Sequence, residues 1–302
     1  MPLAQATLVG QPADDDARSQ ALTRINLQDL LDNFGLAQVG WLRPVLERLL
    51  WSQAAQFTRL VMNFDRRIGE VELQSASREF LARHTRGLRV IGLENVPMEG
   101  AVIFAANHAG MSESLACFSA IPRRDLRVVA NDRPFVRALP NVFARLIAVP
   151  EAAGDRFAVV RQVTRHLNSG GALFINPAGR IEPDPAYMPG AIESLRGWSP
   201  SLGVFVRRAP AVHVVPTLVS GVILPWTLRH PLVQLRRRQQ DRERAAAAIQ
   251  LMVHLRQRER TPVTPVVKFG RPLCGEDLVR LDSIEGIVAA ITAAMADMML
   301  DI

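Results

Sequence analysis

A histidine and a carboxylate five residues apart stand in the segment Ala105-Ala106-Asn107-His108-Ala109-Gly110-Met111-Ser112-Glu113. Imidazole titrates nearest neutral pH, and a buried carboxylate beside it can fix the ring's tautomer and stabilise its protonated form. A pair of that kind suits removal of a proton from an alcohol. On one regular helix, positions five apart point about 140° away from each other, so His108 and Glu113 cannot meet there. They can meet if His108 lies in a turn and Glu113 in the first turn of the helix that follows. Gly110 suits the bend and Ser112 suits a helix cap.

The elements around this segment follow from apolar periodicity. Residues 1 to about 24, with Pro2, Gly10, Pro12 and Asp14-Asp15-Asp16, read as a mobile arm. From Leu27 to about Leu81 the spacing is helical, and Pro44 suits a first helical turn. Trp41, Leu42, Trp51, Phe57 and Phe64 there accompany Arg43, Arg48, Arg59, Arg66 and Arg67. Two readings stand: a helical pair packed on the core, or an interfacial anchor with tryptophans at lipid headgroup level. Short apolar runs then predict strands at Leu88 to Ile91, Ala101 to Ala106, Arg127 to Ala130, Leu146 to Val149, Ala172 to Ile175, Val212 to Leu218 and Val263 to Phe269. Helical stretches fall between most of them, at Ser112 to Ile121, Arg156 to Asn168 and Gly190 to Gly197. The alternation predicts an α/β fold, a layered and mostly parallel or mixed sheet flanked by helices, in which sites gather beyond the carboxyl ends of strands. His108 lies at such an end. We divide the chain into an N-terminal arm with amphipathic helices, 1–85, and an α/β domain, 86–302. The latter includes a basic helix near 236–260, read as a solvated face or as a surface for anionic lipid or an acidic carrier. A last helix runs from about Ser283 to Leu300.

The chain has 302 residues, 48% hydrophobic and 22% charged, enough for a sizeable core. Its net charge of +7 comes almost wholly from arginine, with Lys268 the one lysine. That balance favours anionic membranes or acidic carriers. Tyr187 is the only tyrosine, and no arginine cluster is interleaved with aromatics, so nucleic acid is not an expected partner. Cys117 and Cys274 lack metal-ligand spacing and predict free thiols in a reducing compartment. The N-terminus lacks the basic-then-apolar order of a secretory signal, and no run approaches the roughly 18 apolar residues of a membrane span. Surface attachment to the inner face of a membrane, from the cytoplasm, is the expectation. His84, His166, His213, His230 and His254 have no partner motif and read as structural or surface residues.

Four stretches in order resemble the blocks of the glycerolipid acyltransferases, the lysophosphatidic acid acyltransferase-like superfamily. Gly92-Leu93-Glu94-Asn95-Val96-Pro97-Met98-Glu99-Gly100 leading to Ala106-Asn107-His108 is similar to the approach to that family's His-x4-Asp motif, with Glu113 in place of aspartate. Ala148-Val149-Pro150-Glu151 followed by Asp155-Arg156 resembles a second block, in which an arginine helps hold the acceptor. Phe174-Ile175-Asn176-Pro177-Ala178-Gly179-Arg180 resembles a Phe-Pro-Glu-Gly-Thr-Arg-Ser loop, with Ala178 at the glutamate and Arg180 one residue early. Val214-Val215-Pro216-Thr217 looks like the family's Val-Pro-x strand, and Val266 to Leu273 like its closing strand.

The resemblance implies acyl transfer from acyl-CoA or an acylated carrier protein to the hydroxyl of a lyso-lipid. In it His108 is the general base and Glu113 its support. Asn107, Arg156, Pro177, Gly179 and Arg180 become substrate-binding residues, with the guanidinium groups holding phosphate. Backbone N–H groups around Ala178 to Arg180, or those opening the helix after His108, are candidate oxyanion donors. No metal and no cofactor besides the acyl donor are implied. The departures at Glu113 and Ala178 motivate two alternatives: a non-catalytic lipid- or carrier-binding protein on the same scaffold, or an acyltransferase whose acceptor lacks phosphate. Glu182 and Asp184, just after the third block, have two readings, acceptor binding and surface exposure, and exposure is the expectation.

Overall fold

The structure, a computed structural model, describes residues 12–33, 43–110, 113–150, 156–236, 238–257 and 263–301. Two helices come first, α1 (Pro12–Asn33) and α2 (Arg43–His84), and α2 is broken at Glu72, whose φ is +73°. Then follow β1 (Arg89–Ile91), β2 (Val102–Ala106), α3 (Glu113–Ala120), β3 (Arg127–Asn131), α4 (Pro134–Arg137), α5 (Pro140–Phe143) and β4 (Leu146–Val149). Next are α6 (Arg156–Asn168), β5 (Ala172–Ile175), α7 (Ala191–Ser194), α8 (Ser201–Arg208) and β6 (His213–Ser220). The chain continues with α9 (Pro225–Leu228), α10 (Pro231–Gln234), α11 (Gln239–Gln257), β7 (Val266–Phe269), β8 (Leu273–Cys274), α12 (Gly275–Val279) and α13 (Ile284–Leu300).

The strands form one sheet in the order β1-β7-β6-β2-β5-β3-β4, with β8 paired to β6. From β6 to β4 every neighbouring pair is parallel, so five carboxyl ends share one edge. β7 and β8 run antiparallel to β6. Every residue of β2 and β5 is buried, as expected where helices cover both faces of a parallel sheet. Alternation then sorts the side chains. Phe104, Phe174 and Phe269 meet Ile68, Leu73, Ala76 and Leu81 of α2 with Cys117 of α3. On the other face Ile103, Leu173 and Val214 meet α6, α8 and α13 through Val163, Phe205 and Ile291. Here lies the layered α/β fold expected from the alternating pattern.

Two expectations are corrected. Residues 12–24 belong to α1, where Leu22 is fully buried and Thr23 donates to Thr58 Oγ1 of α2 at 3.1 Å. The first 11 residues of the expected arm lie outside the described residues. The helical pair expected over Leu27 to Leu81 is present as α1 and α2, with α2 packed on the core. Lastly, α11 is not a solvated face. Ala245, Ala246, Ala247 and Ala248 are buried, packed with Val233 of α10 and beside Leu30 of α1. Alanine lets helix backbones approach closely, and the arginines flank that stripe. Val45, Leu49 and Trp51 at the start of α2 are exposed, whereas Ala54 is buried in the hairpin with Leu27 and Leu31; Trp41 and Leu42 lie outside the described residues. No helix among the described residues is long and apolar enough to cross a membrane.

The tightness of α11 gives a stability prediction. Ala246→Leu should overpack the junction with α1 and α10 and lower unfolding free energy by about 1–3 kcal/mol in urea titration. An unchanged midpoint would mean that the helices are not in close contact there.

Candidate active site

The turn after β2 is fixed from three sides. Asn107, fully buried, donates through Nδ2 to Val219 O at 2.9 Å and accepts from Val219 N at 2.7 Å, mimicking a strand partner for β6. From β5's end, Asn176 Nδ2 donates to Ala106 O and Asn107 O, each at 3.2 Å. Glu182 completes the clamp. Its Oε2 accepts from His108 N at 3.0 Å, and its own N–H donates to His108 O at 2.7 Å. The other carboxylate oxygen, Oε1, accepts from Trp198 Nε1 at 3.1 Å and Ser194 Oγ at 2.9 Å. The main chain of the histidine is thus held at both its polar atoms.

That clamp leaves the ring facing the start of α3. His108 Nδ1 lies 2.6 Å from Glu113 Oε1, the carboxylate being fully buried and the imidazole 28% exposed. The contact is short but not aligned as a hydrogen bond, as is common before substrate tightens a site. Ser114 Oγ also donates to Oε1, at 2.8 Å. Burial pulls the imidazole's pKa down, and the Glu113 charge, with a smaller push from Glu182, more than offsets it; the result is a pKa above the ordinary 6.5. Since Nδ1 faces the carboxylate, Nε2 is the nitrogen free to meet a substrate. Cys117, one helical turn after Glu113, is held as a neutral thiol, its pKa pushed up by burial and by that carboxylate.

The other expected residues divide. Asn107 has both polar side-chain atoms bonded to Val219 and serves the turn. Pro177 accepts from Ser199 N at 2.9 Å, and Gly179, with φ +62°, donates its N–H to Asn176 O at 3.0 Å. These two shape the loop after β5. Arg180 is exposed on that loop, and its guanidinium lies over Gly197, where an added Cβ would come within 2.5 Å of Nη2. Arg156 opens α6 beyond β4, three strands from β2, or roughly 14 Å across the sheet at 4.8 Å per strand. It shares the edge with His108 and is not brought to the dyad. Met111, Ser112 and residues 151–155 lie outside the described residues, as does the cap expected of Ser112.

Glu182 and Asp184 are buried, against the expectation of exposure. Asp184 accepts from the N–H groups of Ala186, Gly221, Val222 and Ile223 at 2.8–3.1 Å. Burial raises the pKa of both carboxyls against these hydrogen bonds. The signal for order was present in Glu182-Pro183-Asp184-Pro185, where two prolines stiffen the chain between the acids. Glu243 of α11 was also missed. It is buried, and its pKa is pushed up to about 7 by burial and by the Glu182 charge, against a Gln239 hydrogen bond and the charges of Arg180 and Arg244. No sequence pattern links α11 to this loop. Nearby, a cavity of about 480 Å3 between α1, α2, α4 and α11 has a mixed lining, apolar at Phe57, Phe135 and Met252 and charged at Asp29, Arg133 and Arg244, and it reaches Ile181. No cluster of three or more His, Cys, Asp or Glu that could hold a metal occurs among the described residues. Of the remaining histidines, His84 and His254 pair at 2.7 Å, His166 bonds Ala172 O, and His230 caps α10.

No protein-family model and no curated protein matches the chain. Among solved structures it is similar to the 1-acyl-sn-glycerophosphate (LPA) acyltransferase, PlsC, from Thermotoga maritima. Identity is 16%, the match covers 92% of this chain and 97% of that one, and the TM-score is 0.45. At that level of likeness the chain's own residues carry the functional reading.

The clamp on His108 is separable from its chemistry. Glu182→Gln puts an amide donor where the carboxylate now accepts from His108 N, Trp198 and Ser194. Loss of one such bond should lower stability by about 1–3 kcal/mol and displace the histidine. Wild-type melting in this variant would show that Glu182 does not hold the turn.

Proposed function

We propose that this protein is an O-acyltransferase that moves a fatty acyl group from acyl-CoA or an acylated carrier protein to the hydroxyl of a lyso-lipid. The observation that carries the reading is the 2.6 Å contact between a reachable imidazole and a fully buried carboxylate at the carboxyl edge of a parallel sheet. His108 Nε2 takes the hydroxyl proton as the acceptor oxygen attacks the thioester carbonyl, and Glu113 stabilises the imidazolium. The C–S bond then breaks and the same proton passes to the leaving thiolate. First-turn N–H groups of α3 are the donors we assign to the oxyanion, since helix N-termini present N–H groups without intrahelical partners and the Gly179 N–H is bonded to Asn176 O. Arg180, on the loop after β5, is the guanidinium we assign to an acceptor phosphate; Arg156 opens α6 beyond β4, farther along the edge. The cavity reaching Ile181 has an apolar wall of Phe57, Phe135 and Met252 that we assign to the acyl chain, beside the charged Asp29, Arg133 and Arg244. Work at the inner face of a membrane, by surface attachment, fits such substrates. A second reading, an acceptor without phosphate, is favoured by Glu243, whose carboxyl competes with an anion for Arg180.

Replacing His108 by alanine should lower kcat/KM by about 10²–10⁴-fold, with folding unchanged by circular dichroism. Comparable turnover by that variant would end the proposal. Glu113→Gln should reduce activity less, by about ten- to a hundredfold.

The pH profile has a defined sign. Turnover needs neutral imidazole, and a raised pKa keeps His108 protonated to higher pH, so the acidic limb of kcat/KM should lie above 6.5. In Glu113→Gln the largest raising influence is gone, and the limb should move to lower pH. A limb that stays in place would separate Glu113 from the base.

Gly197→Ala tests Arg180 without touching it. The added methyl should push the guanidinium aside and raise KM for a phosphate-bearing acceptor by about tenfold, one charge-assisted hydrogen bond's worth, with little change in melting. An unchanged KM for that acceptor, with kcat intact, would favour the acceptor lacking phosphate.

A further inference from the structure

We propose that α9 and α10, with Arg229 and Arg238, form a platform that docks the protein on an anionic lipid bilayer with the His108 edge of the sheet toward the lipid. α9 and α10 follow the carboxyl end of β6, the strand paired in parallel with β2, so they share the edge from which His108 projects. Leu228 and buried Val233 fix these two short helices to α11, while Trp226, Leu232 and Leu235 are 45%, 49% and 76% exposed. Leu232 and Leu235, three residues apart, lie on one helical face. Scattered exposed leucines are ordinary on protein surfaces, but an indole and two leucines on consecutive helical turns are not scattered.

Charge selects the occupant. From Gly221 to Gln240 the sequence has four arginines and no aspartate or glutamate. Arg229 and Arg238 are exposed there. An indole that favours the headgroup region, leucines that enter the acyl boundary and guanidinium groups that pair with phosphate together match an anionic membrane surface. A protein partner would have to supply acidic and apolar groups in the same arrangement. The platform is joined rigidly to the site. Asp184 accepts from the N–H groups of Gly221, Val222 and Ile223, and Gln250 brackets the next turn, accepting from Leu224 N and donating to Val222 O, each at 2.8 Å. Docking through α9 and α10 therefore sets the orientation of the dyad as well as its distance from the lipid.

The assignment stands apart from acyl transfer, and vesicle flotation of the full chain reads it without turnover. Wild type should float with vesicles of equimolar phosphatidylcholine and phosphatidylglycerol, and much less with phosphatidylcholine alone. Trp226→Ser/Leu232→Ser/Leu235→Ser should lose at least about tenfold in partitioning. Arg229→Gln/Arg238→Gln, at exposed positions that leave the fold intact, should lose about thirtyfold on the anionic vesicles. His108→Ala should float as wild type does, so failure of the enzymatic reading and failure of this one are told apart. Flotation unchanged in both platform variants would overturn the proposal. So would flotation lost only in Leu49→Ser/Trp51→Ser, which alters the exposed patch at the start of α2. A concentration-dependent dimer abolished by the triple variant, with vesicle binding retained, would reassign the face to a second copy of the chain.

Discussion

A carboxylate without solvent holds this site together. Glu113 is fully buried, and an isolated charge at that depth is strongly disfavoured unless a partner meets it. The partner is the imidazole of His108 at 2.6 Å, helped by the Ser114 hydroxyl. Such a pair is only as good as the placement of its less buried member, because a shift of one ångström in the ring would leave the charge uncompensated. This explains why so much of the surrounding polar chemistry is directed at the main chain of residues 106 to 108 rather than at the ring itself. Cys117 fits the same account, since its neutral thiol adds no second negative charge beside Glu113.

The loops at the carboxyl edge face a common difficulty: their backbone groups are buried away from regular pairing and must still be bonded. Four side chains answer it. Asn107 pairs with β6, Asn176 with the end of β2, Glu182 with His108, and Asp184 with the turn after β6. Each bridges two segments distant in sequence, and the four together tie the loops after β2, β5 and β6 into one polar network. Glu182 and Asp184 keep their charge at a disadvantage, as their raised pKa values show, and the N–H groups aimed at them are what makes that burial tolerable.

Strong periodicity made most of the framework legible. β4, β5 and α6 coincide with their expected bounds residue for residue, because each is bounded by turn residues and has one clear apolar period. β7 starts later than its apolar run, at Val266, since Pro265 has no N–H to give to a ladder. α8 went unread: Gly203 and its valines obscure a helix, yet the glycine is what allows α8 to approach α13, a Cβ there coming within 2.7 Å of Ile284 O. The His108 and Glu113 pairing was readable from spacing because both belong to one turn. Glu182, Asp184 and Glu243 were not, since their roles depend on segments brought together only by the crossover order of the sheet, and an acidic residue's default reading is solvent.

Ala178 shows how the site differs from the loop it resembles. At a position where that loop has glutamate, this chain has a small side chain packed among the apolar residues of the α6 and α8 face. The charge is not lost from the neighbourhood. Arg180 still feels a carboxyl, that of Glu243 on α11. The pKa of Glu243 is pushed up to about 7 by burial and by the Glu182 charge, so the guanidinium can be shared between Glu243 and an incoming anion according to the proton that Glu243 carries. A phosphate arriving at Arg180 would pair with the guanidinium and add negative charge beside Glu243, disfavouring its carboxylate and drawing a proton onto it. An acceptor bearing an ammonium would do the reverse and stabilise the carboxylate. In the proposed reaction the charge of the acceptor is therefore coupled to one buried carboxyl on α11, the helix against which α9 and α10 pack, rather than to the loop that the sequence marks out.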